Sequence, residues 1–164
     1  MNADRTSGSR LDQIEKAAVT VLLGSMTLVV FLQVVFRFVV KGSLPWSEEL
    51  ARYLMIWAIF FGASMGAKVG AHIGVEAVVK LLPANWHRPM IAVSCFFSLL
   101  FCAAVFWLSG QVVLNIYRNG QVSPAMEIPM YWAYLAVPAG ALLMGIRFVQ
   151  AATVNWRKVK GGET

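Results

Sequence analysis

Residues 90–117 read MIAVSCFFSLLFCAAVFWLSGQVVLNIY, a run of 28 positions without a charged side chain. A helix rises 1.5 Å per residue and a bilayer core is about 30 Å thick, so roughly 20 apolar residues cross it. This run exceeds that length and must tilt or project beyond the lipid. Neither it nor any other stretch alternates with period two over ten residues, which argues against a membrane β-barrel. Three further segments share its character. Residues 17–36 are uncharged between Lys16 and Arg37. Residues 53–67 are uncharged between Arg52 and Lys68, and charged side chains at both ends can snorkel, so that helix runs over about 47–70. Residues 128–146 are uncharged, and the apolar pattern continues past Arg147. The expectation is an all-α integral membrane protein. It forms one membrane domain over 1–164, with four transmembrane helices near 15–40, 47–70, 88–117 and 128–155.

Composition agrees with this reading. Of 164 residues, 59% are apolar or aromatic and 13% are charged, with a mean hydropathy of +0.65. Soluble domains carry about 25% charged residues. The charged groups here are too few to cover the surface a soluble fold of this size leaves exposed. That disfavours a soluble enzyme, a disordered tail and a disulfide scaffold. The first span reads as an uncleaved helix, because Asp4, Asp12 and Glu15 interrupt its leader and its apolar region exceeds that of a signal peptide.

Orientation follows from lysine and arginine. Four spans place both termini and the loop between helices two and three on one side. That side carries Arg5, Arg10, Lys16, Lys68, Lys80, Arg88, Arg157, Lys158 and Lys160. The other carries Arg37, Lys41, Arg52 and Arg118, while Arg147 lies within helix four and counts for neither. The positive-inside rule then puts both termini in the cytoplasm. Attraction to anionic lipid accounts for the net charge of +6 without nucleic acid. Trp46, Tyr117, Tyr131 and Trp132 are expected at the outer interface, and Trp86 and Trp156 at the inner one.

The connections carry local signals. After the short 41–46 loop, Ser47 reads as an N-cap, with Glu48 and Glu49 favourably placed against the helix dipole. Glu48 and Arg52 form an i,i+4 pair in the favourable order. Residues 72–82 group Ile73, Ala77 and Leu81 on one face and Glu76 with Lys80 on another. They are too short to span and are expected to form a short amphipathic helix in the cytoplasmic interface. Their alternative is the end of helix two. Pro138 is expected to kink helix four.

Little in the chain carries chemistry. No Asp or Glu sits at the middle of a span, where autonomous ion-coupled carriers place one. Gln33 and Gln111 are the deepest polar groups. Gln33 with Arg37 reads as an interhelical hydrogen bond beside a snorkelling arginine, with a substrate contact as the other reading. His72 and His87 lie in the loop region rather than inside the bundle, which argues against haem ligation and a redox-complex membrane anchor. Cys95 and Cys102 are about 10 Å apart by helical rise, too far for a disulfide within one helix, and read as packing residues. No nucleophile–base pair or zinc signature occurs, so an enzyme is not expected and no cofactor is implied. Helix two is striped with small residues at Ala58, Gly62, Gly66, Gly70 and Gly74. This spacing lets another backbone approach closely, in the chain's own bundle or in a partner.

The stretch Trp46-Ser47-Glu48-Glu49-Leu50-Ala51-Arg52-Tyr53-Leu54 leads into Phe61-Gly62-Ala63 and then Lys68, Gly70, His72, Ile73 and Val75. With Ser123-Pro124-Ala125-Met126-Glu127-Ile128-Pro129-Met130, Tyr134-Leu135 and Pro138-Ala139-Gly140, it resembles the small membrane subunit, DctQ-like, of tripartite ATP-independent periplasmic (TRAP) transporters. The resemblance covers nearly the whole chain. It implies a scaffold subunit in the bacterial inner membrane, obligately paired with a large elevator-type subunit that is driven by sodium. A periplasmic binding protein delivers an organic acid to that pair, and phospholipids surround it. The late segment looks closer to C4-dicarboxylate-type members than to sialic-acid ones. Within this resemblance Trp46, Glu48, Glu49 and Arg52 are either a cap and interface anchor or also a contact for the large subunit or the binding protein. Arg37, Lys41 and Arg118 would add outer charge to such a contact. If the step docks a partner, Glu49→Ala and Arg52→Ala lower substrate uptake more than complex assembly. Wild-type uptake and assembly in both variants would contradict docking.

Overall fold

A backbone inside lipid has no water to bond, so each apolar run must satisfy its own N–H and C=O groups as a helix. The computed structural model describes residues 10–79 and 87–160, with side chains over 12–67, 89–90 and 92–153. Helix α1 spans Arg10–Val35 and widens into a π turn at Phe36–Val40. Helix α2 spans Pro45–Val79, α3 His87–Arg118, α4 Tyr131–Tyr134 and α5 Ala136–Lys160. Four stretches are long and apolar enough to cross a membrane: Asp12–Val40, Pro45–Ala67, Ala92–Arg118 and Tyr131–Thr153. The all-α class and the four expected spans are therefore present.

Local details differ from the sequence reading. Helix α2 begins at Pro45, whose fixed φ and missing N–H suit a first helical position. Ser47 therefore lies inside the first turn rather than capping it, and its hydroxyl donates back to the Leu44 carbonyl at 2.7 Å. Residues 72–79 continue α2 without a break, so the expected separate interfacial helix is not formed over them. No proline occurs between Pro45 and Pro83, and nothing in that interval forces the helix to stop. Residues 80–82 of that expected segment lie outside the described residues. The expected fourth helix divides at Leu135, three residues before Pro138. Pro138 thus falls in the first turn of α5, where its missing donor removes little.

The helices form a row. Helix α1 packs on α2, α2 on α5, and α5 on α3. The buried apolar residues are mostly small, including Ala58, Cys102, Ala133, Ala136, Ala141 and Ala151. Large side chains such as Phe96, Phe101, Trp107 and Phe31 point away from the row. Water gives no driving force for burying leucine between helices in lipid, so close backbone approach decides the contacts. The closest approach is at Gly140 of α5, where an added Cβ would lie 2.5 Å from Phe60 Cβ of α2. An added Cβ at Gly145 would lie 3.7 Å from Cys102 of α3, an ordinary contact. The small-residue stripe of α2 behaves differently. Ala58 is buried, but added Cβ atoms at Gly62 and Gly66 would meet nothing within 4 Å. The side-chain surroundings of Gly70 and Gly74 lie outside the described residues.

Residues 119–130 return the chain from α3 to α4. Gly120 takes a φ of +59° to start the turn, and Val122 bridges Pro129. The Ser123 N–H donates to Ile128 O at 2.8 Å, and the Met130 N–H to Gln121 O at 3.0 Å.

Gly140→Ala is expected to lower thermal stability in detergent by the ~1–3 kcal/mol of an overpacked contact. Gly62→Ala and Gly66→Ala are expected not to lower the purified chain's melting. Equal melting of all three variants would contradict the assigned α2–α5 contact.

Candidate functional site

Two polar ties hold the row, one near each end. The first centres on Arg147, which is 1% exposed. An arginine inside an apolar layer must find carboxylates or carbonyls, because the isolated charge is costly there. Its Nη2 meets Asp12 Oδ1 at 2.6 Å and also pairs with Glu15 Oε2. Its Nε faces Glu15 Oε1 at 3.4 Å, and its Nη1 donates to Gln150 Oε1 at 3.1 Å. Ser64 of α2 completes the group by donating to Glu15 Oε1 at 2.7 Å. Asp12 and Glu15 stand three apart on α1, so one helical face presents both to the same guanidinium. Three helices thus meet in one buried cluster.

The second tie centres on Glu49 in the opening turns of α2. It is buried, accepts from the Tyr53 hydroxyl, and its Oε2 accepts from the Ala125 N–H at 3.1 Å. The Ser123 Oγ in turn accepts from the Met126 N–H at 3.2 Å. Glu49 therefore fastens the 119–130 connection to α2. Nearby, Trp57 Nε1 donates to Trp132 O at 3.2 Å, and Tyr131 packs edge-to-face on Tyr117 and stacks on Trp132. Of the four aromatics expected at one interface, Tyr117, Tyr131 and Trp132 do cluster.

The other sequence-selected residues are placed as follows. Trp46, Glu48, Arg52, Arg37, Lys41 and Arg118 are all exposed. Glu48 does not pair with Arg52. It instead accepts from Gln33 Nε2 at 2.9 Å, an interhelical bond to α1. Gln33, Arg37 and Glu48 line one cavity, whereas Arg52 and Arg118 form no ion pair among the described residues. Gln111 is exposed on α3. Cys95 and Cys102 are free thiols. The side chains of His72 and His87 lie outside the described residues, and among those described no group of three His, Cys, Asp or Glu could hold a metal. The sequence reading missed the Arg147 cluster. The signal was available: an arginine interrupts the fourth apolar run, and two carboxylates sit one helical turn apart at the start of the first.

With this architecture in view, comparison with known proteins is decisive. The family model of the DctQ component of tripartite ATP-independent periplasmic transporters matches residues 26–158. The chain belongs to the DctQ family. It is similar to the C4-dicarboxylate TRAP transporter small permease protein DctQ of Rhodobacter capsulatus, at 28% identity over 172 residues, 87% of this chain and 76% of that one. It is also similar to the ectoine TRAP transporter small permease protein TeaB of Halomonas elongata, at 31% identity over 147 residues, covering 90% and 75%. The isethionate TRAP transporter permease protein DctMQ of Oleidesulfovibrio alaskensis is 27% identical over 140 residues, which is 79% of this chain but 22% of that protein. This DctQ-family chain is thus a multi-pass membrane subunit of a transporter and not an enzyme. The redox-anchor alternative falls with that membership.

Removing one partner of a buried ion cluster leaves an uncompensated charge, at about 3–5 kcal/mol. Arg147→Ala is expected to reduce the yield of monodisperse protein sharply. Neutralising the cluster together, with Asp12→Asn, Glu15→Gln and Arg147→Gln, is expected to recover much of it. Wild-type yield from Arg147→Ala would show that the cluster does not hold α1, α2 and α5 together.

Proposed function

We propose that this DctQ-family chain is the static small subunit of a sodium-coupled, binding-protein-dependent TRAP importer. The observation that carries this reading is the state of its buried polar groups. Among the described residues, every buried side-chain nitrogen or oxygen already has a partner. Sodium or a carboxylate in transit needs ligands that exchange, and the buried Glu15, Arg147 and Glu49 are committed to helix-to-helix ties. The ion and solute sites therefore belong to a large partner subunit. The length of DctMQ supports this pairing, since the region like this chain is a minor part of a longer permease protein.

In this reading both termini face the cytoplasm, and the end bearing Arg37, Lys41, Trp46, Arg52 and Arg118 faces the periplasm. The exposed Lys41, Arg52 and Arg118 supply the docking charge for a binding protein, with Trp46 an uncharged neighbour. Glu49 does not face the partner, and its role is to hold the 119–130 connection in place for that surface. The solute is a small organic acid, of C4-dicarboxylate type by the likeness of the late segment. The relatives are named for a C4-dicarboxylate, for ectoine and for isethionate, which fits a small subunit that leaves solute choice to its partners.

Reconstitution in liposomes tests the proposal. The chain alone is expected to move no solute under a sodium gradient. The chain with its large subunit and binding protein is expected to transport, and omission of this chain to abolish uptake. Uptake by the chain alone, or full uptake without it, would contradict the proposal.

A further inference from the structure

The end of α1 departs from regular helix twice. Its last turn is the π turn Phe36–Val40, and Lys41 then takes a left-handed φ of 55°. The left-handed Lys41 is an ordinary helix close, its N–H bonded to Phe36 O, whereas the π turn before it is the rarer feature. Between this end and the first turns of α2 lies a cavity of about 420 Å³. Gln33, Arg37, Glu48 and the connection 42–45 line it. Its size falls within the range of small-ligand sites. Gln33 occupies only Oε1 of Glu48, and the Arg37 guanidinium has no ion pair or hydrogen bond among the described residues.

Depth narrows the ligand. The cavity sits where the span Asp12–Val40 ends and the span Pro45–Ala67 begins, the level at which a bilayer places its headgroups. Phe38 and Val39 stand on the same turn, 72% and 75% exposed, and offer an apolar wall to lipid chains. A free guanidinium and a half-free carboxylate in one boundary cavity suit a ligand that carries a phosphate and an ammonium. We propose that this cavity binds the headgroup of a zwitterionic aminophospholipid. Arg37 takes the phosphate in its planar fork, and Glu48 accepts from the primary ammonium. A quaternary ammonium has no N–H to give, so an ethanolamine headgroup is preferred to choline.

Native mass spectrometry of the full chain in detergent tests this, with phosphatidylethanolamine, phosphatidylcholine and phosphatidylglycerol of identical acyl chains. Phosphatidylethanolamine is expected to bind tightest. Arg37→Gln is expected to weaken it about tenfold. Glu48→Gln, which keeps the Gln33 bond, is expected to weaken phosphatidylethanolamine several-fold and spare phosphatidylglycerol. Arg118→Gln, outside the cavity, is expected to leave lipid binding at its wild-type strength, and Arg37→Lys to restore part of the loss. Equal binding of the three lipids, insensitive to Arg37→Gln, would overturn the proposal. Displacement of the lipid by equimolar soluble phosphoethanolamine would overturn it too, by showing a site for free phosphate.

Discussion

The charge on Arg147 is the constraint around which the row is arranged. A guanidinium 1% exposed on a span cannot be left alone, and its carboxylate partners come from α1. Asp12 and Glu15 lie on α1, which packs on α2 and not chiefly on α5. The carboxylates pair with Arg147 directly, and Ser64 of α2 joins them through Glu15. This fixes α1 against α5, because sliding either by a turn strands a buried charge, and sliding α2 takes the Ser64 hydroxyl away from Glu15. Such a cluster adds little net stability over an apolar replacement, and its contribution here is to select one arrangement. The opposite end is set by weaker, neutral or single bonds: Gln33 to Glu48, Trp57 to Trp132 O, and Ala125 N–H to Glu49.

Between these ends the helices touch through small side chains, and the third helix is held by α5 together with the 119–130 connection. The result is a row rather than a ring, with aromatic and aliphatic side chains on its faces. Its polar groups fall into two kinds. Glu15, Ser64 and Arg147 are committed to one another and Glu49 to the 119–130 connection, whereas Arg37, Lys41, Arg52 and Arg118 are exposed. A subunit of this form offers rigid surface and boundary chemistry, in keeping with the static role proposed for it.

The spans were legible because length and absence of charge suffice to define them, whatever packs beside them. The end of helix two was not, because residues 72–82 combine an amphipathic pattern with a length too short to cross, and only the backbone shows that 72–79 continue α2. Ser47 was misread because Pro45 makes an equally good start, and propensity alone does not rank the two. Glu49 was selected from its motif, but its role depends on a connection 76 positions away. Counting charges by side leaves Arg147 out of both totals, whereas its cost in lipid is what demands partners. Of the α2 stripe, Ala58 is buried within the row, while added Cβ atoms at Gly62 and Gly66 would meet open space. The closest contact instead uses Gly140, a single glycine beside Pro138 that no periodicity marks.

Disulfide trapping in native membranes tests the open row most directly. With Cys95→Ser in place, Gly145→Cys is expected to crosslink rapidly to the native Cys102, since a Cβ at 145 stands 3.7 Å from that residue's Cβ. Cysteines introduced along α1, as in Leu23→Cys and Leu28→Cys, are expected not to reach Cys102. Crosslinking of α1 to Cys102 as readily as from Gly145→Cys would mean that the helices close into a ring, contrary to this account.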